Sequence, residues 1–289
     1  ILDAVHAKDY AAAAKGAEET TEAKWKDDTF QSARTAADDV AFKHESTPRA
    51  KELAAYAAFV ERMHQVRFGA DAGRGTRADA WLVGLEKEKG VYITLGRATK
   101  AALAADYATA RTEAEAARAL ASGYSLTETQ LLQGEIELRS RDAKAALAFF
   151  DEAQKAGAGP RAEFGKARAS ALGGDLSVAK SSAEATLKAS PEHPGAALVL
   201  AYAHLEEGTY DKALVAVDRI LKGPGKNAAG PKDEAQAQAI RGAILFRTGK
   251  GGEAKAAFEN AVKLEPTNVL GLVGLGDSLL SEGRFSESL

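Results

Sequence analysis

Four glycines in the second half of the chain recur at a spacing that leaves little freedom of architecture. Gly174 and Gly208 are 34 residues apart, and so are Gly249 and Gly283. Gly208 and Gly249 are 41 apart, and the seven extra residues fall between Gly223 and Pro231, a Gly- and Pro-rich loop by composition. Leu176, Tyr210 and Phe285 stand two residues after their glycines, and Ala179, Ala213 and Ala254 five after. Ala167, Ala201, Gly242 and Gly276 stand seven before. A self-similar unit of this length is one supersecondary element that covers its apolar faces only by stacking on its neighbours.

The element is a pair of antiparallel helices. Aromatic residues make up only 7% of the 289 residues, alanine supplies much of the apolar content, and alternating runs of β-branched residues are absent. Alanine is the best helix former and is small enough for close helix crossings. The glycine ends a first helix at a tight turn, and Asp175 and Thr209 follow where a second helix needs an N-cap. Pro191 and Pro266 lie 17 residues beyond their glycines, where that second helix should stop, and Pro194 suits the first turn of the next one.

The segment Leu272-x2-Leu275-Gly276-x2-Leu279, with Ala254-x3-Phe258-x2-Ala261-x4-Pro266 before it, resembles the tetratricopeptide pattern. The resemblance implies an all-α fold, a right-handed superhelical α-solenoid of antiparallel helix pairs in 34-residue repeats. The expected units are 91–124, 127–160, 160–193, 194–234 with the loop insertion, 235–268 and a partial 269–289. Residues 1–90 are expected to form a degenerate helical, tetratricopeptide-like region, with a separate small helical domain as the alternative. Within it, helices are expected at 28–44, 49–67 and 77–89, a loop at 69–75, and a second-helix start at Asp9-Tyr10. The apolar Leu272, Leu275, Leu279 and Leu280 in the last half unit suggest a chain cut from a longer array, and offer a surface for self-association.

Charge and motif content narrow the function. The 38 basic and 41 acidic residues are interspersed, so there is no concentrated basic face for nucleic acid. No apolar run approaches the length of a membrane span. There are no cysteines, and no two of the five histidines, His6, His44, His64, His193 and His204, lie within one helical turn of each other. Neither pattern suits a metal site, and His204 reads as a packing residue. The loop Gly225 to Gly230 has the gap of a phosphate-binding loop, but Pro231-Lys232 follows where Lys and then Ser or Thr are needed, and no strand precedes it. No nucleophile elbow or triad context occurs. The expectation is a protein that is not an enzyme and uses no cofactor.

Binding to another protein or peptide is what the resemblance implies. The first helix of each unit lines the groove of such an array. Carrying the family's groove positions over gives Tyr92, Leu95, Thr99 and Ala102 in the first full unit. The next gives Glu128, Leu131, Glu135 and Leu138. Then come Arg161, Phe164, Arg168 and Ala171; Gly195, Leu198, Tyr202 and Leu205; Gln236, Ala239, Ala243 and Phe246; and Leu270, Val273, Asp277 and Leu280. The expected partner-binding residues are Arg161, Phe164, Arg168, Leu198, Tyr202, Leu205, Phe246, Leu270 and Val273. A register shifted by one would instead bury these side chains. Family members that clamp acidic chaperone tails use Lys and Asn along this wall, whereas Glu135, Arg168 and Tyr202 stand there here. The expected role is a scaffold in bacterial assembly, secretion, motility or polarity, in the cytoplasm. The alternative is an accessory module of a larger enzyme.

Overall fold

The computed structural model describes residues 88–223, 225, 229–281 and 283, and nine positions between Ala55 and Val66. The expectations for residues 1–54 and 67–87, and for the chain after Gly283, lie outside the described residues. Among the described residues every regular element is a helix. Two compact units divide the chain after Ala158, and each has its own stack of helices. The first contains α1 (Val91–Leu103), α2 (Tyr107–Leu120), α3 (Gly123–Arg139) and α4 (Ala143–Lys155). The second contains α5 (Pro160–Gly173), α6 (Leu176–Ala189), α7 (Pro194–Glu206), α8 (Tyr210–Leu221), α9 (Pro231–Arg247), α10 (Gly251–Leu264) and α11 (Val269–Ser281).

One turn design closes five of the pairs. Gly174, Gly208 and Gly249 take φ of 82°, 72° and 78°, and Ala105 and Arg141 take 61° and 66° at the equivalent places. This left-handed conformation is free for glycine and costs other residues about 1–2 kcal/mol. The residue after each turn closes the first helix: the amides of Asp106, Asp142, Asp175, Thr209 and Lys250 donate to the carbonyls of Ala101, Glu137, Ser170, His204 and Leu245 at 2.9–3.0 Å. In three of the pairs the same residue also opens the second helix. The carboxylates of Asp106, Asp142 and Asp175 accept from the amides of Thr109, Ala145 and Val178 at 2.9–3.1 Å. Thr209 departs from the expected cap: its hydroxyl donates to the His204 carbonyl at 3.1 Å. It thereby holds the end of α7 and leaves α8 without a side-chain cap.

Within each pair the crossing is matched in size. The contacting positions stand seven before and nine after the left-handed residue. A Cβ built on Gly134 would come within 2.6 Å of the Phe150 ring, and one on Gly242 within 2.7 Å of the Phe258 ring. Where the first position is alanine, the second is smaller: Ala98 with Ala114, Ala167 with Ala183, Ala201 with Val217, all buried. Phe258 is also pressed by Gly274 of α11, so one ring fills the space between two successive units.

The first unit adds charged ties between helices. Arg111 donates to both oxygens of Glu137 at 2.7 and 2.6 Å and to Ser140 at 2.8 Å. Arg97 pairs with Glu113 at 2.9 Å and Arg118 with Glu152 at 2.7 Å. The described residues between Ala55 and Val66 are helical, and Arg62 donates to the Gly96 carbonyl at 2.8 Å. This contact ties the stretch to α1.

Candidate functional site

In the second unit α5, α7, α9 and α11 are each in contact with the next, and form one layer, while α6, α8 and α10 form the other. Buried alanines hold the layers together. Ala196, Ala197, Ala201 and Ala203 of α7 and Ala235, Ala237 and Ala239 of α9 are all at most 2% exposed. On the outward side of the first-helix layer the residues run in rows, because positions seven apart on a helix share a face. By repeat position one row is Phe164, Leu198, Ala239 and Val273, of which Phe164 and Ala239 are buried. The next is Arg168, Tyr202, Ala243 and Asp277, and the third Ala171, Leu205, Phe246 and Leu280.

The rows are unequally open. Tyr202 is 39% exposed, Phe246 38% and Val273 56%, while Leu198 and Leu270 are half-buried. Leu205 is buried in the core and presents no wall surface, a correction to its expected place. Phe164 is buried as well, at the edge of the same core. Its ring fills the hole left by the missing side chain of Gly195, where a Cβ would come within 2.6 Å. His193 lies against that ring with centroids 4.4 Å apart, and its Nδ1 accepts the Ala196 amide at 3.2 Å, capping α7. The Arg168 guanidinium sits 5.5 Å from the centre of the Phe164 ring, a cation–π placement. Arg161 is half-buried one face-turn earlier on α5.

This gives the layer a basic end at α5, an apolar middle at α7 and α9, and an acid, Asp277, at the α11 end. The sequence reading missed His193. Its signal was available in hindsight: a polar residue before Pro194, at the position of an N-cap. Asn268 was missed too. Its Oδ1 accepts the Gly271 amide at 2.8 Å, and its amide donates to Gln236 at 3.1 Å, tying α11 to the α9 row.

The corresponding face of the first unit is closed. Tyr92, Leu95, Thr99 and Ala102 of α1 and Glu128, Leu131 and Glu135 of α3 are all buried. Tyr56 meets the Tyr92 ring edge-on at 4.6 Å, and Arg139 donates to the Val66 carbonyl at 3.3 Å. His204 faces away from the open wall. It is buried, and its Nδ1 lies 2.9 Å from the Thr209 hydroxyl. Burial and the nearby Lys180 hold its pKa below the usual histidine value. Among the described residues no group of three His, Asp or Glu could hold a metal ion.

A layered stack of helix pairs closed by repeated left-handed turns defines a helical-repeat protein. Residues 164–234 and 241–289 match the model of the tetratricopeptide repeat family, so this stretch of the chain consists of tetratricopeptide repeats. No curated protein matches the sequence. Among solved structures, the chain is similar to a tetratricopeptide repeat protein from Parabacteroides merdae, at 14% identity and a TM-score of 0.57 over 96% of this chain and 98% of that one. It is similar to NprR in complex with its cognate peptide NprX, at 14% identity and a TM-score of 0.59 over 80% and 74%. It is also similar to yeast Tom70, at 17% identity and a TM-score of 0.56, covering 94% of this chain and 55% of Tom70. At these identities the likeness speaks to the fold. No helix among the described residues is long and apolar enough to cross a membrane.

Proposed function

We propose that the protein is a non-enzymatic scaffold that holds a segment of a partner protein against the first-helix layer of its second unit. The observation that carries this reading is the open apolar wall itself. Tyr202, Phe246 and Val273 stand exposed on successive helices, with Leu198 and Leu270 beside them. Contiguous exposed apolar surface of this kind marks interaction sites in soluble proteins. The tetratricopeptide fold accommodates such a ligand, as the NprR complex with its peptide illustrates.

The two ends of the wall give the ligand a direction. Arg161 and Arg168 receive an acidic group at the α5 end, where the planar guanidinium can bond both carboxylate oxygens. Phe164 acts from beneath, by positioning Arg168. Asp277 favours a basic group at the far end, and Leu280 extends the apolar surface toward a second copy of the chain. The bacterial setting read from composition, and a location in the cytoplasm, belong to the same proposal.

A photo-crosslinking residue at Tyr202, compared with one at Val215 on α8, tests the reading in cells. Tyr202 should capture a discrete partner that Val215 does not. Equal capture at both positions would contradict it, and capture of a catalytic subunit would turn the reading toward an enzyme-associated module.

A further inference from the structure

A cavity of about 200 Å³ opens in the first unit, between α2, α3 and α4 and apart from the wall just described. It is lined by Arg111, Glu115, Gln133, Ile136, Glu137 and Phe149. The volume is below the roughly 300 Å³ at which pockets begin to hold drug-sized ligands, so it suits a single side chain.

The charges lining it are unequally matched. Arg111 is spent on Glu137: the two form a bidentate pair at 2.7 and 2.6 Å, and Ser140 takes a further guanidinium proton at 2.8 Å. That pairing raises the pKa of Arg111, and closes one side of the slot with a neutral unit. Glu115 has no such partner. Its Oε2 accepts only the Gln133 amide at 3.1 Å, and no cation bonds it among the described residues. Arg118, three residues on, is turned to Glu152 at 2.7 Å and to the Gln133 oxygen at 3.4 Å. The slot is therefore a net-anionic mouth with a half-buried aromatic ring, Phe149, and an aliphatic floor, Ile136.

We infer that this slot receives an arginine side chain from a partner protein. Three features select that chemistry. The unpaired carboxylate of Glu115 matches a guanidinium fork. The Phe149 ring offers a face on which a planar cation stacks. The partly open Phe149 side chain also packs against the aliphatic stem, which a free inorganic cation would leave unmatched. An acidic or neutral side chain would leave Glu115 without a counter-charge, so charge complementarity decides the class. The site lies on other helices than the apolar wall, so a partner using both would be held at two places.

The test titrates the full chain, with phenylalanine isotope-labelled, against Nα-acetyl-arginine amide and the neutral isostere Nα-acetyl-citrulline amide. The arginine probe should give a saturable shift of the Phe149 ring signals, and the citrulline probe none. Glu115→Gln should weaken arginine binding at least tenfold while leaving the helical spectrum unchanged, because Glu115 is exposed and its only partner is neutral. Phe149→Leu, which keeps the floor apolar, should weaken it as well when read from the Ile136 methyl. Equal shifts with citrulline, undiminished affinity in Glu115→Gln, or no saturable shift at Phe149 would each overturn the inference.

Discussion

At the scale of single residues, the turns show where this chain departs from the best local choice. Arg141 holds a left-handed backbone at φ 66° in a place where three other pairs use glycine. Its side chain is exposed. Arg141→Gly should therefore stabilise the protein by about 1 kcal/mol, the strain removed less the extra freedom gained by the unfolded chain. Urea unfolding would show it as a higher midpoint with an unchanged slope. His204 makes a second residue-scale prediction. Its pKa is depressed in the folded state, by burial first and by the charge of Lys180 second. The unfolded chain thus takes up the proton more readily, and stability falls with falling pH. The contribution of neutral His204 is complete above the unfolded value of about 6.5 and is lost as pH drops below it. Unfolding at pH 7.5 and 5.5 should show a smaller difference for His204→Gln than for the parent protein.

At the scale of elements, the helix pairs were legible because their signals are local. The left-handed turns at Gly174, Gly208, Gly249 and Gly283 fall where the spacing put them. Cap chemistry was less legible, because a side chain can serve either of the helices it joins. Asp175 caps α6, whereas Thr209 at the same position turns back to His204. Asp175→Ala should cost about 1 kcal/mol through loss of the cap. Thr209→Ala should instead act through His204, and its cost should largely vanish in a His204→Gln background. Additive costs for Thr209→Ala and His204→Gln in thermal unfolding would contradict that coupling.

At the scale of the whole molecule, periodicity located the first-helix layer but not how much of it is open. Leu205 and Phe246 occupy the same repeat position, yet one is 2% and the other 38% exposed. Likewise, nothing in the spacing of Glu128 and Glu135 revealed that the first unit buries them. Apolar wall, basic end and acidic end together make the central claim, that the second unit seats a partner segment through Tyr202 and Arg168. Its most direct measurement is the affinity of the crosslinked partner for the purified chain, with Tyr202→Ala and Arg168→Ala set beside Val215→Ala on the opposite layer. Central aromatic and arginine anchors lose roughly 2 kcal/mol or more on truncation, so the first two variants should bind tens-fold more weakly and Val215→Ala like the parent. Parental affinity in both Tyr202→Ala and Arg168→Ala would contradict the account.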